Sequence, residues 1–310
     1  MVARGTGMRA PIDETTPPLS IVIATTRPWP EVRACLDSLR DQVRTARAEV
    51  IVADASGQGL PGDHDLYPEV TWLKAPGFSV FRLRALGITS ARGEVVALTE
   101  DHCRVRPDWC ERTLAAHKKH PMASAIGGAV ENGATTHLID WAGYFIVNGP
   151  FMLPLRSGEC ARISLQANIS YKRRALARPL PPLGMMEMLY NQALHDRGET
   201  LVADERIVVE HVQSLGVLGT CAAHFHNGRS IAGFRLQRMP LAERALRLAG
   251  CFVLPGVMLW RTLRIVFSKR RYVGRAVLSL PFIVILLCCH AAGEFVGYLA
   301  GPGPSPERLR

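Results

Sequence analysis

The chain of 310 residues is 48% hydrophobic and 21% charged, a composition that fits one large α/β domain with an appendage and excludes a disordered or fibrous protein. Its formal charge of +10 resides in the C-terminal part, where residues 229–310 contain 13 Lys and Arg against three Glu; the first 228 residues contain 24 of each sign. A neutral body with a basic, apolar tail favours an anionic membrane surface as a partner and argues against nucleic acid, for which no binding motif is present.

The N-terminal residues and the cysteines both favour a cytoplasmic location. Residues 1–18 contain charges and prolines but no apolar core of signal-peptide length, so we expect a loose leader and a body that stays in the cytoplasm. The eight cysteines lack the spacing of a metal-binding knuckle and the density of a small disulfide scaffold. Reduced thiols are therefore expected.

Short apolar runs alternate with amphipathic segments in the first 120 residues. Four β-branched runs have the length of buried strands: 19–24, 49–54, 70–74 and 94–99. Three segments carry apolar residues at helical spacing: 31–43, 80–91 and 107–120. This alternation predicts a parallel, doubly wound α/β sheet. A less regular part follows, with predicted strands at 124–130, 165–171 and 200–211 and a predicted helix at 187–196.

From Leu241 onward the chain is apolar and basic. The segment 248–267 is interrupted by a proline and two arginines, which predicts an interfacial or re-entrant helix. The 25 residues 276–300 contain no Asp, Glu, His, Lys or Arg apart from His290 and Glu294, and they are long enough to cross a bilayer behind a basic cluster retained on the cytoplasmic side. A buried helical hairpin that packs on the body is the alternative.

Polar side chains follow three of the predicted strands. Ligands of parallel sheets bind outside the carboxyl ends of the strands, and Thr25, Asp54 and the triplet Glu100-Asp101-His102 lie at such ends. Carboxylate together with imidazole suits manganese or another borderline divalent cation better than magnesium. Acidic residues also end strands without binding a ligand, so the pattern alone leaves both interpretations open.

Five segments occur in a characteristic order along the first third of the chain: Ser20–Thr25, Glu49–Asp54, Arg84–Ile88, Gly93–His102 and Pro107–Trp109. Together they resemble family 2 glycosyltransferases of the GT-A fold. The resemblance implies that Asp54 and Arg84 bind the nucleotide of a sugar donor, with Thr25 and Asp101 on the same donor side. It also implies that Glu100 and His102 bind the metal–diphosphate group.

The triplet departs from the family pattern. Glu100 and His102 replace the two aspartates of an Asp-x-Asp motif, and Ala85 stands where asparagine is usual. The triplet is similar to the Asp-x-His variant of mucin-type polypeptide N-acetylgalactosaminyltransferases, in which a second, distant histidine completes the metal site. His211, at the end of an extended run, is the candidate for that histidine; a structural histidine is the alternative.

The acceptor side resembles the same family. Residues 168–173 are similar to its Asn-x-x-x-Arg/Lys-Arg strand, and Glu187 occupies the place of the second acid of a Glu-Asp pair that supplies the base. Met186 stands in place of the first acid. A carboxylate that opens a helix also pairs with the helix dipole without any catalytic role. Residues 237–239 do not form a Gln-x-x-Arg-Trp motif, which disfavours processive polymer synthesis.

The sequence therefore predicts a GT-A nucleotide-sugar-binding fold with a C-terminal helical, membrane-associated appendage, divided into a leader (1–18), a glycosyltransferase domain (19–235) and a tail (236–310). The predicted activity is metal-dependent, inverting, non-processive transfer from a nucleotide-diphosphate sugar to a lipid-linked or glycan acceptor. It would take place at the cytoplasmic face of the inner membrane, in the synthesis of cell-envelope polysaccharide, with manganese preferred over magnesium. Inversion is implied by the resemblance.

Two alternatives from other functional classes remain open. One is a non-catalytic scaffold that binds nucleotide sugars. The altered triplet and Met186 leave this alternative open, because they replace residues of the family pattern. The other is a nucleotidyltransferase, which is disfavoured because residues 25–28 do not form a glycine-rich phosphate loop.

Overall fold

The computed structural model describes residues 16–29, 31–57, 67–176, 180–236 and 239–309. Most of the expected leader, residues 1–15, lies outside the described residues, as do residues 237–238 of the motif considered above.

The N-terminal half is a parallel β-α-β array. Its strands are β1 (Leu19–Thr25), β2 (Glu49–Asp54), β3 (Val70–Lys74) and β4 (Val95–Glu100). Its helices are α1 (Glu31–Thr45), α2 (Val80–Ser90) and α3 (Trp109–Lys119). The strands pair in the order β3-β2-β1-β4, all in parallel. The predicted parallel, helix-connected sheet is thus confirmed in this half. The inner strands β1, β2 and β4 are buried on both faces, as strands of a helix-covered parallel sheet are.

The second half of the sheet is mixed, and the sequence predicts no direction for its strands. Its strands are β5 (Cys103–Val105), β6 (Ala125–Asn132), β7 (Gly158–Glu159), β8 (Ile169–Lys172) and β9 (Leu201–His211). β8 lies antiparallel between β4 and β6, β9 is parallel to β6, and β5 and β7 are antiparallel to β9. Apolar runs do not encode strand direction, and β5 and β7 are too short to produce a periodic signal.

The remaining helices form a layer beside one end of the sheet. They are α4 (Leu138–Val147), α5 (Glu187–Asp196), α6 (Gly216–Leu236), α7 (Leu241–Gly250), α8 (Leu254–Lys269), α9 (Val273–Leu278) and α10 (Leu280–Ala300). α10 packs closely along α6: a Cβ on Gly293 would lie 2.0 Å from the carbonyl oxygen of Phe225, and a Cβ on Gly228 would lie 2.2 Å from that of His290. Glycine at these positions lets the two backbones touch.

α10 is long and apolar enough to cross a membrane, and α7 and α8 form an apolar pair bent by 66°. Half of the apolar window of α10 is buried inside the protein. Its histidine and its glutamate lie on the packed face, where His290 Nε2 is 3.2 Å from Glu294 Oε1 and Arg235 donates to Glu294 Oε2 at 3.3 Å. The helix thus serves as the central helix of this layer.

Candidate functional site

Strand pairing brings two distant histidines to one edge of the sheet. β9 runs in the same direction as β4, so His211 and Glu100 end their strands on the same side. β5 pairs with β9 in the register Cys103 to His211, and the amide of Val212 donates to the carbonyl of His102 at 2.9 Å. Residues that are 109 positions apart in the chain therefore meet side by side.

Glu100, His102 and His211 form a cluster of three donor atoms. Their ligand atoms all lie within 4.8 Å of one another. The Nε2 atoms of the two histidines are 2.9 Å apart, and Glu100 Oε2 lies 3.5 Å from the first and 3.4 Å from the second. Among the described residues, this is the one such group of three or more His, Cys, Asp or Glu side chains.

Asp101 sets the proton position on His102. Its Oδ1 accepts a hydrogen bond from His102 Nδ1 at 2.6 Å, and its Oδ2 accepts one from the hydroxyl of Thr25 at 2.7 Å. Burial favours the neutral acid, but the hydrogen bonds from His102 and Thr25 and the charge of Arg27 outweigh burial and lower the pKa of Asp101. An ionised carboxylate only accepts, so the proton lies on Nδ1 and the lone pair of His102 lies on Nε2.

The three donor atoms fit a divalent cation. Glu100 Oε2 is buried and makes no hydrogen bond to the described residues. Burial acts against ionisation of Glu100, but nearby His102, His211 and Arg84 outweigh it and hold its pKa well below the usual range. Burial also lowers the pKa of His211, which favours the neutral imidazole that a metal requires. An ion about 2.1 Å from each atom is compatible with these separations.

Arg84 connects this cluster to Glu187. It is buried on α2, donates to Glu100 Oε1 at 3.2 Å and donates to Glu187 Oε2 at 3.3 Å. Glu187 opens α5, is 2% exposed, and its Oε1 has no hydrogen-bond partner among the described residues. Burial raises the pKa of Glu187 even though the charge of Arg84 opposes the shift. Glu187 is therefore a carboxyl group with one oxygen held and one available.

These groups line one cavity of about 240 Å³ between the sheet edge and α2, α4, α5 and α6. Two further polar atoms in its wall are buried without a hydrogen-bond partner among the described residues, namely Asn132 Nδ2 and His224 Nδ1. Neither residue was singled out from the sequence. His224, Asn227 and Ile231 recur at helical spacing in the sequence, and this spacing could have placed them on one helix face. It indicates a functional residue only once the structure shows that α6 faces the site.

The structure thus brings together Glu100, His102, His211, Arg84 and Glu187 in one site. Thr25 and Asp101 lie directly behind His102, and the hydroxyl of Thr25 donates a hydrogen bond to the carboxylate of Asp101. Asp54 ends β2, beyond β1 as seen from β4, and its Oδ1 accepts from the amide of Ser56 at 2.7 Å. It is not among the described residues that line the cavity. The donor-binding roles of these three residues remain predictions.

Comparison with known proteins gives the same family as the sequence motifs. Residues 20–176, half of the chain, match the family described as Glycosyl transferase family 2. The chain is 29% identical over 103 residues to the putative glycosyltransferase EpsH of Bacillus subtilis (strain 168), a match that covers 32% of this chain and 30% of that relative. The chain thus aligns with less than a third of the length of this curated relative.

Two solved structures superpose on the chain. The mannosyltransferase PcManGT from Pyrobaculum calidifontis, in complex with GDP-Man and Mn2+, superposes with a TM-score of 0.55 at 16% identity, covering 93% of this chain and 88% of that one. S. aureus TarS 1-349 superposes with a TM-score of 0.49 at 12% identity, covering 90% of each chain. The first likeness confirms the predicted GT-A architecture. Together with the family match, it shows that the chain belongs to glycosyl transferase family 2.

Proposed function

We propose that this protein transfers one sugar from a nucleotide-diphosphate donor to an acceptor hydroxyl, with a divalent cation bound by Glu100, His102 and His211. The observation that carries the proposal is the placement of this three-donor cluster in the same cavity as Glu187, with Arg84 between them. A metal site and a carboxyl group with a free oxygen are the two parts that such a transfer needs.

The donor side uses the sheet edge. A cation held there would neutralise charge on the diphosphate and so stabilise it as a leaving group. Two imidazoles and one carboxylate favour manganese or another borderline cation over magnesium. The solved mannosyltransferase of similar fold contains GDP-Man and Mn2+, which supports a nucleotide sugar and a divalent cation here. Thr25, Asp54, Arg84 and Asp101 complete the proposed donor site.

Glu187 is the proposed base. Its Oε1 takes the proton of the acceptor hydroxyl while the acceptor oxygen forms a bond to the anomeric carbon, and the bond from that carbon to the nucleotide diphosphate breaks. Arg84 holds Oε2 and fixes the carboxylate. The raised pKa of Glu187 brings it closer to the range in which a carboxylate accepts a proton effectively. With one base and one displacement, the anomeric configuration inverts and one sugar is added.

The helical tail supports action at a membrane. Of the 16 large hydrophobic side chains exposed among the described residues, 13 lie between Leu241 and Leu299. None of the ten residues of α7 is buried. The same region carries the positive charge of the chain. We therefore keep the division into a leader (1–18), a catalytic domain (19–235) and a tail (236–310), and place the tail on anionic lipid at the cytoplasmic face of the inner membrane.

A panel of nucleotide sugars incubated with the full chain tests the proposal. We expect release of nucleoside diphosphate from at least one donor with manganese, less with magnesium, and none after chelation of the metal. His102→Ala should abolish the release. Nucleotide-sugar binding without turnover would support a scaffold in place of an enzyme, and pyrophosphate release from a nucleoside triphosphate would support a nucleotidyltransferase.

A further inference from the structure

One face of α6 forms a wall of the cavity. The residues that line it recur at helical spacing, and they are Thr220, Ala223, His224, Asn227 and Ile231. The adjoining face of α6 packs on α10, where Gly228 touches the backbone at His290. The tail thus holds the helix in place while a single stripe of side chains faces the site.

His224 is a polar group of this stripe with no hydrogen-bond partner in the described part of the chain. It is 6% exposed, and neither ring nitrogen makes a hydrogen bond to the described residues. Its Nε2 lies 3.8 Å from the place where a Cβ on Gly143 of α4 would be, so glycine keeps space open next to the ring. A buried polar group without a partner destabilises the folded protein, and a bound ligand that supplies the hydrogen bond removes that cost.

The wall beside His224 carries no free positive charge. Arg84 is the one Lys or Arg among the described lining residues, and it is paired with Glu100 and Glu187. Burial lowers the pKa of His224 to about 3, so its imidazole is neutral near pH 7 and can donate and accept at once. These groups match the hydroxyls of an uncharged sugar ring better than a phosphate.

The cavity becomes apolar further along the same stripe. Ile231 packs with Phe81 and Met186, and Leu309 of the C-terminal segment closes this cluster. Met186, which stands where the family pattern has an acid, contributes to the apolar wall. The site therefore has a polar half at His224 and Asn227 and an apolar half at Ile231.

We propose that the cavity-facing stripe of α6 is the acceptor subsite, and that it takes an uncharged amphiphile: a hydroxylated ring bonded by His224 and Asn227, with an apolar arm along Ile231 and Leu309. This inference rests on the proposed function, because it assumes that Glu187 deprotonates a hydroxyl of the ring. It assigns His224 as a positioning residue for the acceptor.

Alkyl glycosides test this subsite. Octyl and methyl glycosides of glucose, galactose and mannose would be titrated into the full chain by calorimetry, below the concentration at which they form micelles. We expect at least one octyl glycoside to bind about tenfold or more tightly than its methyl counterpart, because each buried methylene adds to affinity. No binding by any octyl glycoside, or equal binding by both members of every pair, overturns the inference.

Two variants locate the binding. His224→Leu should weaken octyl glycoside binding at least about fivefold, while the melting temperature stays the same or rises, because a buried unpaired polar group is removed. A purely structural histidine would give lower stability instead. Gly143→Leu should also weaken binding, by filling the space beside His224. Leu218→Gln, at an exposed position of α6, and Trp260→Gln, on the exposed tail, are the controls that should bind as the wild type does. Wild-type affinity in His224→Leu and Gly143→Leu, or an equal loss in the two controls, overturns the proposal.

Donor hydrolysis by the wild-type protein without acceptor separates the two proposals. A protein that hydrolyses a nucleotide sugar but binds no octyl glycoside contradicts the acceptor subsite alone. A protein that binds octyl glycosides in a His224-dependent manner but hydrolyses no donor contradicts the proposed function alone.

Discussion

The Nε2 atoms of His102 and His211 lie 2.9 Å apart, although 109 residues separate the two histidines in the chain. Two ring nitrogens at this distance share one proton or one cation, because two N–H groups would repel each other. Since Asp101 keeps the proton of His102 on Nδ1, the pair offers a lone pair to a metal.

The first prediction concerns metal affinity. His102→Ala and His211→Ala should each weaken manganese binding by about 10-fold to 100-fold or more, since each removes a ligand of the proposed site. Isothermal titration of the metal-free protein measures this. His195→Ala, an exposed histidine on α5, is the matched control and should bind manganese as the wild type does. If His211→Ala kept wild-type affinity while His102→Ala lost it, His211 would be a structural residue.

The second prediction concerns the base. Glu187→Gln should lower kcat for sugar transfer by about 100-fold to 10,000-fold, because the amide cannot accept the proton, while manganese and nucleoside diphosphate still bind. Steady-state kinetics and calorimetry on the same preparation separate the two effects. Glu205→Gln changes an exposed glutamate of β9 and should leave kcat unchanged. Full transfer activity in Glu187→Gln would remove Glu187 from the mechanism.

The third prediction concerns the membrane. Phe252 and Trp260 are 80% and 59% exposed, so replacing either by glutamine should weaken binding to vesicles that contain phosphatidylglycerol by about tenfold. Added salt should weaken wild-type binding as well, because the basic tail is screened. Vesicle co-sedimentation measures both effects. Met122→Gln, 74% exposed after α3, is the control for loss of an exposed apolar side chain elsewhere. Equal vesicle binding by all variants would contradict a lipid-facing tail.

The fourth prediction concerns the contact between α6 and α10. Gly293→Ala should lower the free energy of unfolding by about 1–3 kcal/mol, because its Cβ would lie 2.0 Å from the carbonyl oxygen of Phe225 and push the helices apart. Gly256→Ala in α8 is the matched control, since no atom lies within 4 Å of its Cβ position. There the substitution should be neutral or stabilising. Chemical denaturation measures both variants, and an unchanged Gly293→Ala protein would contradict the close packing.

The fifth prediction concerns acid stability. Burial lowers the pKa of His117 to about 3, below its ordinary value of 6.5. Between these two values the unfolded chain binds a proton that the folded protein does not, so stability is lost as the pH falls from about 6.5 towards 3, by up to about 1.4 kcal/mol per pH unit. His117→Gln should flatten this dependence, even though it loses the bond between His117 Nε2 and Ser170.

Denaturation curves at several pH values between 4 and 7 check this prediction. His195→Gln, at an exposed position of α5, is the control and should retain the wild-type slope. The same slope in His117→Gln as in the wild type would assign the acid sensitivity to other groups.

Much of the fold could be predicted because its signals are local. β1 to β4 are apolar on both faces, and each element from β1 to α3 that was predicted begins and ends within two residues of its expected bounds. Side-chain periodicity depends on the residues of the segment itself. The triplet at the end of β4 could be located for the same reason, since a rigid strand ends at a known edge of the sheet.

The partners of that triplet depend on the tertiary structure. The sequence placed His211 at the end of an extended run, but its contact with His102 arises from the parallel pairing of β6 with β9 and the antiparallel pairing of β5 with β9. Likewise, Asp101 turned out to bond to Thr25 and His102, and Arg84 to bond to two carboxylates. Such contacts join residues far apart in the chain, and no local pattern encodes them.

The sequence by itself was sufficient to predict the parallel strands and to locate the acidic and imidazole side chains at their ends. It was also sufficient to recognise the family resemblance and the basic, apolar tail. Only the tertiary structure showed that α6 contacts both the cavity, through His224, and α10, through Gly228. The physical reason is that helix α6 has no clear apolar face in its own sequence, because small and polar residues make many of its contacts with the cavity and with α10. Its orientation follows from the close glycine contacts with α10, which exist only after the chain has folded.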